Sequence, residues 1–274
     1  MSLNVGKGVK HMVRLENTSH FDLRTIMNSG QCFRIYEIMP NIFDVISMNN
    51  WVRLHYNAQD NVYNFCCTAE EFYQYWYGYF DLDTNYESYF NVINNSTDQF
   101  LKAAAEYGNG MRILRQNYWE ALISFIISQN NNIPRIKKII EALCRKFGHP
   151  IVQYHKIYYS FPTQSDMANI NLQDLKDLGL GYRAQYIYNI SKCDAASFDP
   201  NNLLNIHGIG PKVKACIELF GLHKMDSYPI DTWIKKMIND IYGGHFDTTP
   251  YRGFEGFVQQ LQFYYYRSLK NKNN

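Results

Sequence analysis

The chain has 274 residues, 46% hydrophobic and 19% charged, enough apolar material for about two packed domains, so a folded protein is expected. A formal net charge of +2 is too mild to point to a polyanionic partner, which leaves the distribution of charge to carry that information. The longest apolar stretch, Ala121 to Ile127 interrupted by Ser124, cannot span a bilayer, and Met1 to Lys10 lacks the apolar core of a signal peptide; a cytoplasmic or nuclear chain with no membrane partner is expected.

Residues 11–67 alternate apolar and polar side chains over short runs, as in Phe43 to Met48 and Trp51 to Tyr56, which predicts an antiparallel sheet. Within that region Ser29-Gly30-Gln31-Cys32-Phe33-Arg34 reads locally as a turn before a strand. From Ala69 the apolar period lengthens, predicting helices from Glu70 to Tyr79, Tyr86 to Asn94, Phe100 to Gly108, Trp119 to Gln129 and Pro134 to Phe147. The fold class is therefore α+β, with a β-rich N-terminal domain and flanking helices over residues 1–100 and a larger all-α domain over residues 101–274. Charge is uneven along this plan. Residues 68–100 carry six acidic side chains and no Lys or Arg, whereas residues 112–146 carry seven cations against two acids, a local +5 that attracts phosphates.

Asn130-Asn131-Asn132 ends one helix and can cap the next, just before Arg135. Leu178-Gly179-Leu180-Gly181-Tyr182-Arg183 sets an aromatic and a cation at a glycine-rich turn, in isolation an ordinary surface pair. A final helix is predicted from Phe254 to Leu269, and the tail from Lys270 to Asn274 is expected to fray.

The most informative stretch is Leu204-Asn205-Ile206-His207-Gly208-Ile209-Gly210-Pro211-Lys212-Val213, with Asp231 nineteen residues after Lys212. Gly208 and Gly210 suit a tight turn between helices, because glycine tolerates positive φ and lets another backbone approach. Pro211 fits a first helical position, where its missing N–H would have been an orphan donor. Free backbone N–H groups at that helix start make a ready phosphate site. Lys212 then falls in the first helical turn, where a neutral amine would be a nucleophile able to form a Schiff base. Asp231 follows Pro229-Ile230 and precedes an amphipathic run, so it reads as the N-cap of the next helix. Each feature alone has an ordinary structural explanation; their combination at this spacing is more specific.

The hairpin, Lys212 and Asp231 together resemble the helix-hairpin-helix (HhH-GPD) DNA glycosylases, in the lysine-bearing branch that both excises a damaged base and nicks the strand. Ser29-Gly30-Gln31 and the run Ser128 to Ile136 narrow the resemblance to the eukaryotic-type 8-oxoguanine DNA glycosylase/AP lyases. The resemblance implies that Lys212 and Asp231 are catalytic and that the carbonyl of Gly30 senses the hydrogen on N7 of the lesion. It implies a base pocket of Gly30, Cys216, Phe220, Gln259 and Phe263, with Gln259 on the Watson–Crick edge and Phe263 stacked on the face. It also implies DNA contacts by Asn130 in the gap left by the flipped nucleotide, by Tyr182 as a wedge, by Arg135 and Arg183 at the widowed base, and by Gly208 and Gly210 at phosphate. A monomer acting on double-stranded DNA that contains 8-oxoguanine follows. Two positions depart from the pattern: Trp233 stands where the family usually has a histidine, and Phe220 where it often has a methionine.

The six cysteines show neither CxxC pairs nor histidine spacing for zinc, so reduced thiols are expected. No cysteine follows Cys216, so the iron–sulfur cluster of some hairpin glycosylases is not expected, and no metal or cofactor is called for. The rival readings are a hairpin glycosylase for oxidised pyrimidines or alkylated purines, and a noncatalytic hairpin module that only grips DNA.

Overall fold

The computed structural model describes residues 12–16, 20–193 and 200–271; the segment Met1 to Lys10 and the last three residues, on which expectations were placed above, lie outside the described residues. Five strands, β1 (Val13–Leu15), β2 (Ile35–Met39), β3 (Ile42–Ser47), β4 (Asn50–Asn57) and β5 (Val62–Phe65), form one antiparallel sheet in the order β1-β5-β4-β3-β2. The predicted runs around Phe43 and Trp51 are β3 and β4, paired from Ile42↔His55 to Ser47↔Asn50 across a two-residue turn in which Met48 takes φ 49°.

β4 keeps the predicted alternation at its centre, with Val52 and Leu54 buried and Arg53 between them only partly so, whereas β3 is covered on both faces. Five consecutive residues of β3 are buried, Asp44 among them. Its carboxylate accepts bonds at 2.7 and 2.9 Å from Arg53 on β4 and one from the hydroxyl of Tyr158. A buried charge is tolerated only when paired in this way. Tyr158 belongs to an element that the helical reading of this half did not anticipate: a hairpin of β6 (Pro150–Gln153) and β7 (Lys156–Tyr159). Two strands of four residues are too short to show a period against their helical surroundings.

The helices start where side chains can satisfy their first N–H groups. Asp98 caps Gln99–Tyr107, Asn117 caps Tyr118–Ser128, and Asn132 caps Ile133–Phe147 by accepting from Arg135 N at 3.0 Å. The segment predicted from Glu70 to Tyr79 is helical, with a capping box of Thr68 and Glu71 and a wider π turn over Phe72–Trp76. The last helix, Glu255–Asn271, runs past the expected fraying point: Lys270 reaches Asp240 at 3.1 Å across to Thr232–Tyr242.

Two large apolar cores and a small cluster of Ile234, Met237 and Tyr266 form among the described residues. One large core lies between the sheet and Leu23, Ile26, Phe72 and Trp76; the other surrounds Tyr118–Ser128, which is buried from Glu120 to Ile127. Pro211–Gly221 packs along that central helix, close enough that a Cβ at Gly221 would stand 3.1 Å from that of Ala121. Glu120, itself buried, accepts from Met48 N at 2.7 Å and so ties the β3–β4 turn to the helical core.

Part of the predicted basic field is spent inside the fold. Arg112 donates to the carbonyls of His20 and Asp81, and Arg115, although its side chain is 43% exposed, meets the buried carboxylate of Asp81 at 2.7 Å, so part of the charge of both is answered within the protein. The cations of that segment nearest the cleft described next are Arg135 and Lys137, at the start of Ile133–Phe147.

Candidate active site

The hairpin turn is built around one close approach. Gly208 has φ +98°, and a Cβ there would fall 2.4 Å from the ring of Tyr186, while its carbonyl accepts from Gln129 Nε2 at 2.9 Å. Gly210 differs from expectation: its φ is −91°, an ordinary value, and nothing lies within 4 Å of a Cβ built on it. It is the N-cap of Pro211–Gly221, so the open space there leaves the first N–H groups of that helix approachable.

In the first turn of that helix, Lys212 is half-buried, with Nζ 5.8 Å from the centroid of Phe125, on which Phe220 stacks at 5.1 Å. Among the described residues no carboxylate pairs with Lys212, whereas the next lysine, Lys214, is held by Glu218 at 2.6 Å. Cys216 lies on the same helical face and is buried. Burial pushes its thiol pKa up, partly opposed by the charge of Lys212. Asp231 caps Thr232–Tyr242 through Oδ1, which accepts from Ile234 N at 2.8 Å.

Gly30 reaches the same place from the sheet side. Its φ is +85°, and a Cβ would meet Phe263 at 3.3 Å, Arg267 at 3.4 Å and Ile133 at 3.5 Å, so both conformation and space call for glycine. The segment around it is pinned on both sides. Gln260 Nε2 donates to Ser29 O at 2.6 Å, and Arg267 donates to Asn28 O. Gln31, fully buried, donates to Arg112 O at 2.9 Å and accepts from Leu114 N at 2.8 Å.

These segments converge on a cavity of about 520 Å³ whose lining includes Gly30, Lys212, Cys216, Phe220, Asp231, Gln259 and Phe263, all seven residues expected in the catalytic and base-binding set. Gln259 is 4% exposed and its Oε1 has no hydrogen-bond partner among the described residues, so a buried acceptor stands ready in the wall. Trp233 lines the cavity as well, edge-on to Tyr266 at 6.4 Å. An indole in place of an imidazole puts bulk there and carries only a single N–H donor. Phe125, Gln260 and Arg267 also line the cavity and were not singled out from the sequence.

Among the residues expected at the DNA, Asn130, Tyr182 and Arg135 are held by contacts between neighbouring turns, and Arg183 is the exception. Asn130 takes φ 45° and its Nδ2 donates to the hydroxyl of Tyr182 at 3.2 Å; Tyr182 is 48% exposed. Exposed Arg135 donates to the carbonyl of Gly179 at 3.1 Å. Arg183 does not stand with them. It is 4% exposed, and its guanidinium donates to the carbonyls of Gln129, Asn130 and Leu180, so here it braces the Asn130 turn from behind instead of projecting toward a base. No group of three or more potential metal ligands occurs among the described residues, and no helix among them is long and apolar enough to cross a membrane.

A hairpin that offers helix N–H groups, with a lysine and a capping aspartate lining one cavity, is the arrangement expected of a base-excision type of DNA repair protein. Residues 13–122 match the family described as 8-oxoguanine DNA glycosylase, N-terminal domain, and residues 123–252 match the HhH-GPD superfamily of base excision DNA repair proteins. The chain belongs to this 8-oxoguanine DNA glycosylase family. It is 30% identical over 264 residues to the N-glycosylase/DNA lyase of Saccharomyces cerevisiae, covering 82% of this chain and 69% of the yeast protein. Its structure is similar to the Clostridium acetobutylicum 8-oxoguanine glycosylase/lyase in complex with double-stranded DNA containing cytosine opposite 8-oxoguanine: TM-score 0.86 at 31% identity, covering 95% of this chain and 97% of that one. The Archaeoglobus fulgidus 3-methyladenine DNA glycosylase shares the fold at TM-score 0.76 and 15% identity, covering 94% of this chain and 99% of its own.

The contrast between the two hairpin glycines is testable. Gly208→Ala forces a methyl group into Tyr186 and should lower DNA affinity and thermal stability together, whereas Gly210→Ala should leave stability unchanged. Melting curves and duplex-binding titrations of the two variants check this; equal stability losses would contradict the close approach.

Proposed function

We propose that this protein flips 8-oxoguanine out of duplex DNA, excises it, preferably opposite cytosine, and nicks the resulting abasic strand through a Schiff base on Lys212. The observation that carries the reading is the convergence of Lys212, Asp231, Gly30, Cys216, Gln259 and Phe263 on one cavity, from segments far apart in the chain. Because a distant relative at 15% identity with a different named substrate has the same fold, the architecture does not choose the base; the pocket side chains do.

In this mechanism the flipped base enters between Phe263 and Cys216. The Gly30 carbonyl accepts the N7 hydrogen that distinguishes 8-oxoguanine from guanine, and Gln259 meets the Watson–Crick edge, its free Oε1 taking a hydrogen from the base. As the glycosidic bond opens, positive charge grows at C1′ and the nearby Asp231 carboxylate stabilises it. The neutral amine of Lys212 bonds to C1′, and after ring opening the nitrogen is an imine. The imine acidifies the C2′ hydrogen, and its loss expels the 3′ phosphate by β-elimination. All of these groups come from one chain, so a monomer suffices.

Selection of the opposite base rests on Arg135. Cytosine offers O2 and N3 as acceptors on its unpaired edge, whereas adenine presents a donor at N6, so a guanidinium favours cytosine. Arg183 would share this task only by giving up its carbonyl partners, so more of the preference is assigned to Arg135 than the family resemblance alone would suggest.

Two outcomes test the reading. Lys212→Gln should abolish borohydride cross-linking and strand nicking on an 8-oxoguanine duplex while lesion binding survives; cross-linking that persists would exclude Lys212 as the nucleophile. Arg135→Ala should flatten the preference for C over A, a discrimination of about 1–3 kcal/mol per well-made contact. Single-turnover excision opposite C, T, G and A measures it; equal loss against all four partners would mark Arg135 as a phosphate contact only.

A further inference from the structure

Arg267 follows Phe263 by one helical turn, with its guanidinium carbon 5.1 Å from the centre of that ring, and it lines the cavity. One terminal nitrogen, Nη2, donates to Asn28 O. The other, Nη1, is buried, has no partner among the described residues, and lies 3.4 Å from where a Gly30 side chain would begin. A buried donor of a charged group is costly to leave without a partner unless something uses it. Burial lowers the pKa of this arginine, while Tyr264, Tyr107 and the carboxylate of Asp231 oppose that shift. The pocket thus has a carboxylate at the Asp231 end and a guanidinium against the Gly30 wall.

We infer that Arg267 stabilises the departing base, donating from Nη1 to one of the two purine carbonyl oxygens that flank N7. This rests on the 8-oxoguanine reading above and gives the charge balance of its first step. When C1′–N9 breaks, its electron pair stays with the purine, which leaves as an anion with charge spread from N9 to O8 and into the six-membered ring. The lysine nitrogen supplies the pair for the new bond to C1′ and sheds a proton; the purine anion takes one up from solvent. Asp231 answers the positive charge on the sugar, and Arg267 the negative charge on the base. The donor sits beside Gly30, where N7 is read, so the groups that identify the lesion and those that help it leave are the same cluster.

The test uses Arg267→Met, which keeps length and apolar packing but removes the charge. The charge on the base develops as the bond opens, so single-turnover release of 8-oxoguanine should fall on the order of 100-fold, the size typical for removing one donor aimed at developing negative charge. Affinity for the same duplex, measured in a Lys212→Gln background, should change far less. β-Elimination on a preformed abasic duplex, where no base departs, should be retained, which also reports that the variant is folded. Equal losses in affinity and rate would overturn the inference, since that is what a mere brace of the Asn28 carbonyl would cause. Undiminished release would overturn it too. Wild-type protein that nicks the abasic duplex but releases no 8-oxoguanine would overturn the substrate reading, and this inference with it.

Discussion

The site depends on holding the Asn28–Gln31 segment, which comes from the sheet side, against the C-terminal helix and the 111–116 strap. Gln31 is the clamp: its amide is buried and fully engaged, and its own carbonyl accepts from Gln116 Nε2 at 2.7 Å. Gln260 fixes the preceding carbonyl from the other side. A buried polar group left unpaired costs about 1–3 kcal/mol, so slipping this segment would strand several donors and acceptors at once. That is how Gly30, in a left-handed conformation, can be presented at the same spot in the pocket wall.

With that wall fixed, the helical core supplies the opposite side. The Tyr118–Ser128 helix offers Phe125 beneath Lys212 and, beyond its end, Gln129 to hold the Gly208 carbonyl. The hairpin and the Asn130 turn are thereby coupled, since Gln129 bonds one through its side chain and Arg183 grips the carbonyls of Gln129 and Asn130. The hairpin and the Asn130 turn, the two places proposed to meet phosphate and the gap in the duplex, are thus the two ends of one bonded path.

Much of this was legible in the chain because some positions carry backbone demands as well as side-chain chemistry. Gly208, three residues before Pro211, and Gly30 between Ser29 and Gln31 announce a turn and a wall through conformations few other residues adopt. Caps were equally readable: Asn132 and Asp231 sit where the helices begin. Cations were read less well. Arg112 and Arg183 carry the same charge as Arg135, and only tertiary packing decides that those two bond internal carbonyls while Arg135 stays exposed. Arg267 failed in the opposite sense: in a polar stretch of the last helix it resembles a solvated arginine, and only its closeness to Gly30, distant in sequence, gives it a pocket role. The β6–β7 hairpin was missed because four-residue strands leave too little pattern to read.

The most direct test of the account is chemical mapping of the covalent intermediate. The protein is reacted with a duplex holding 8-oxoguanine opposite cytosine in the presence of borohydride, then digested and sequenced by mass spectrometry. The reduced sugar remnant should be found on Lys212 alone. A remnant on Lys214, which Glu218 holds two residues away, or on Lys137 across the cavity, would contradict the site as assigned here.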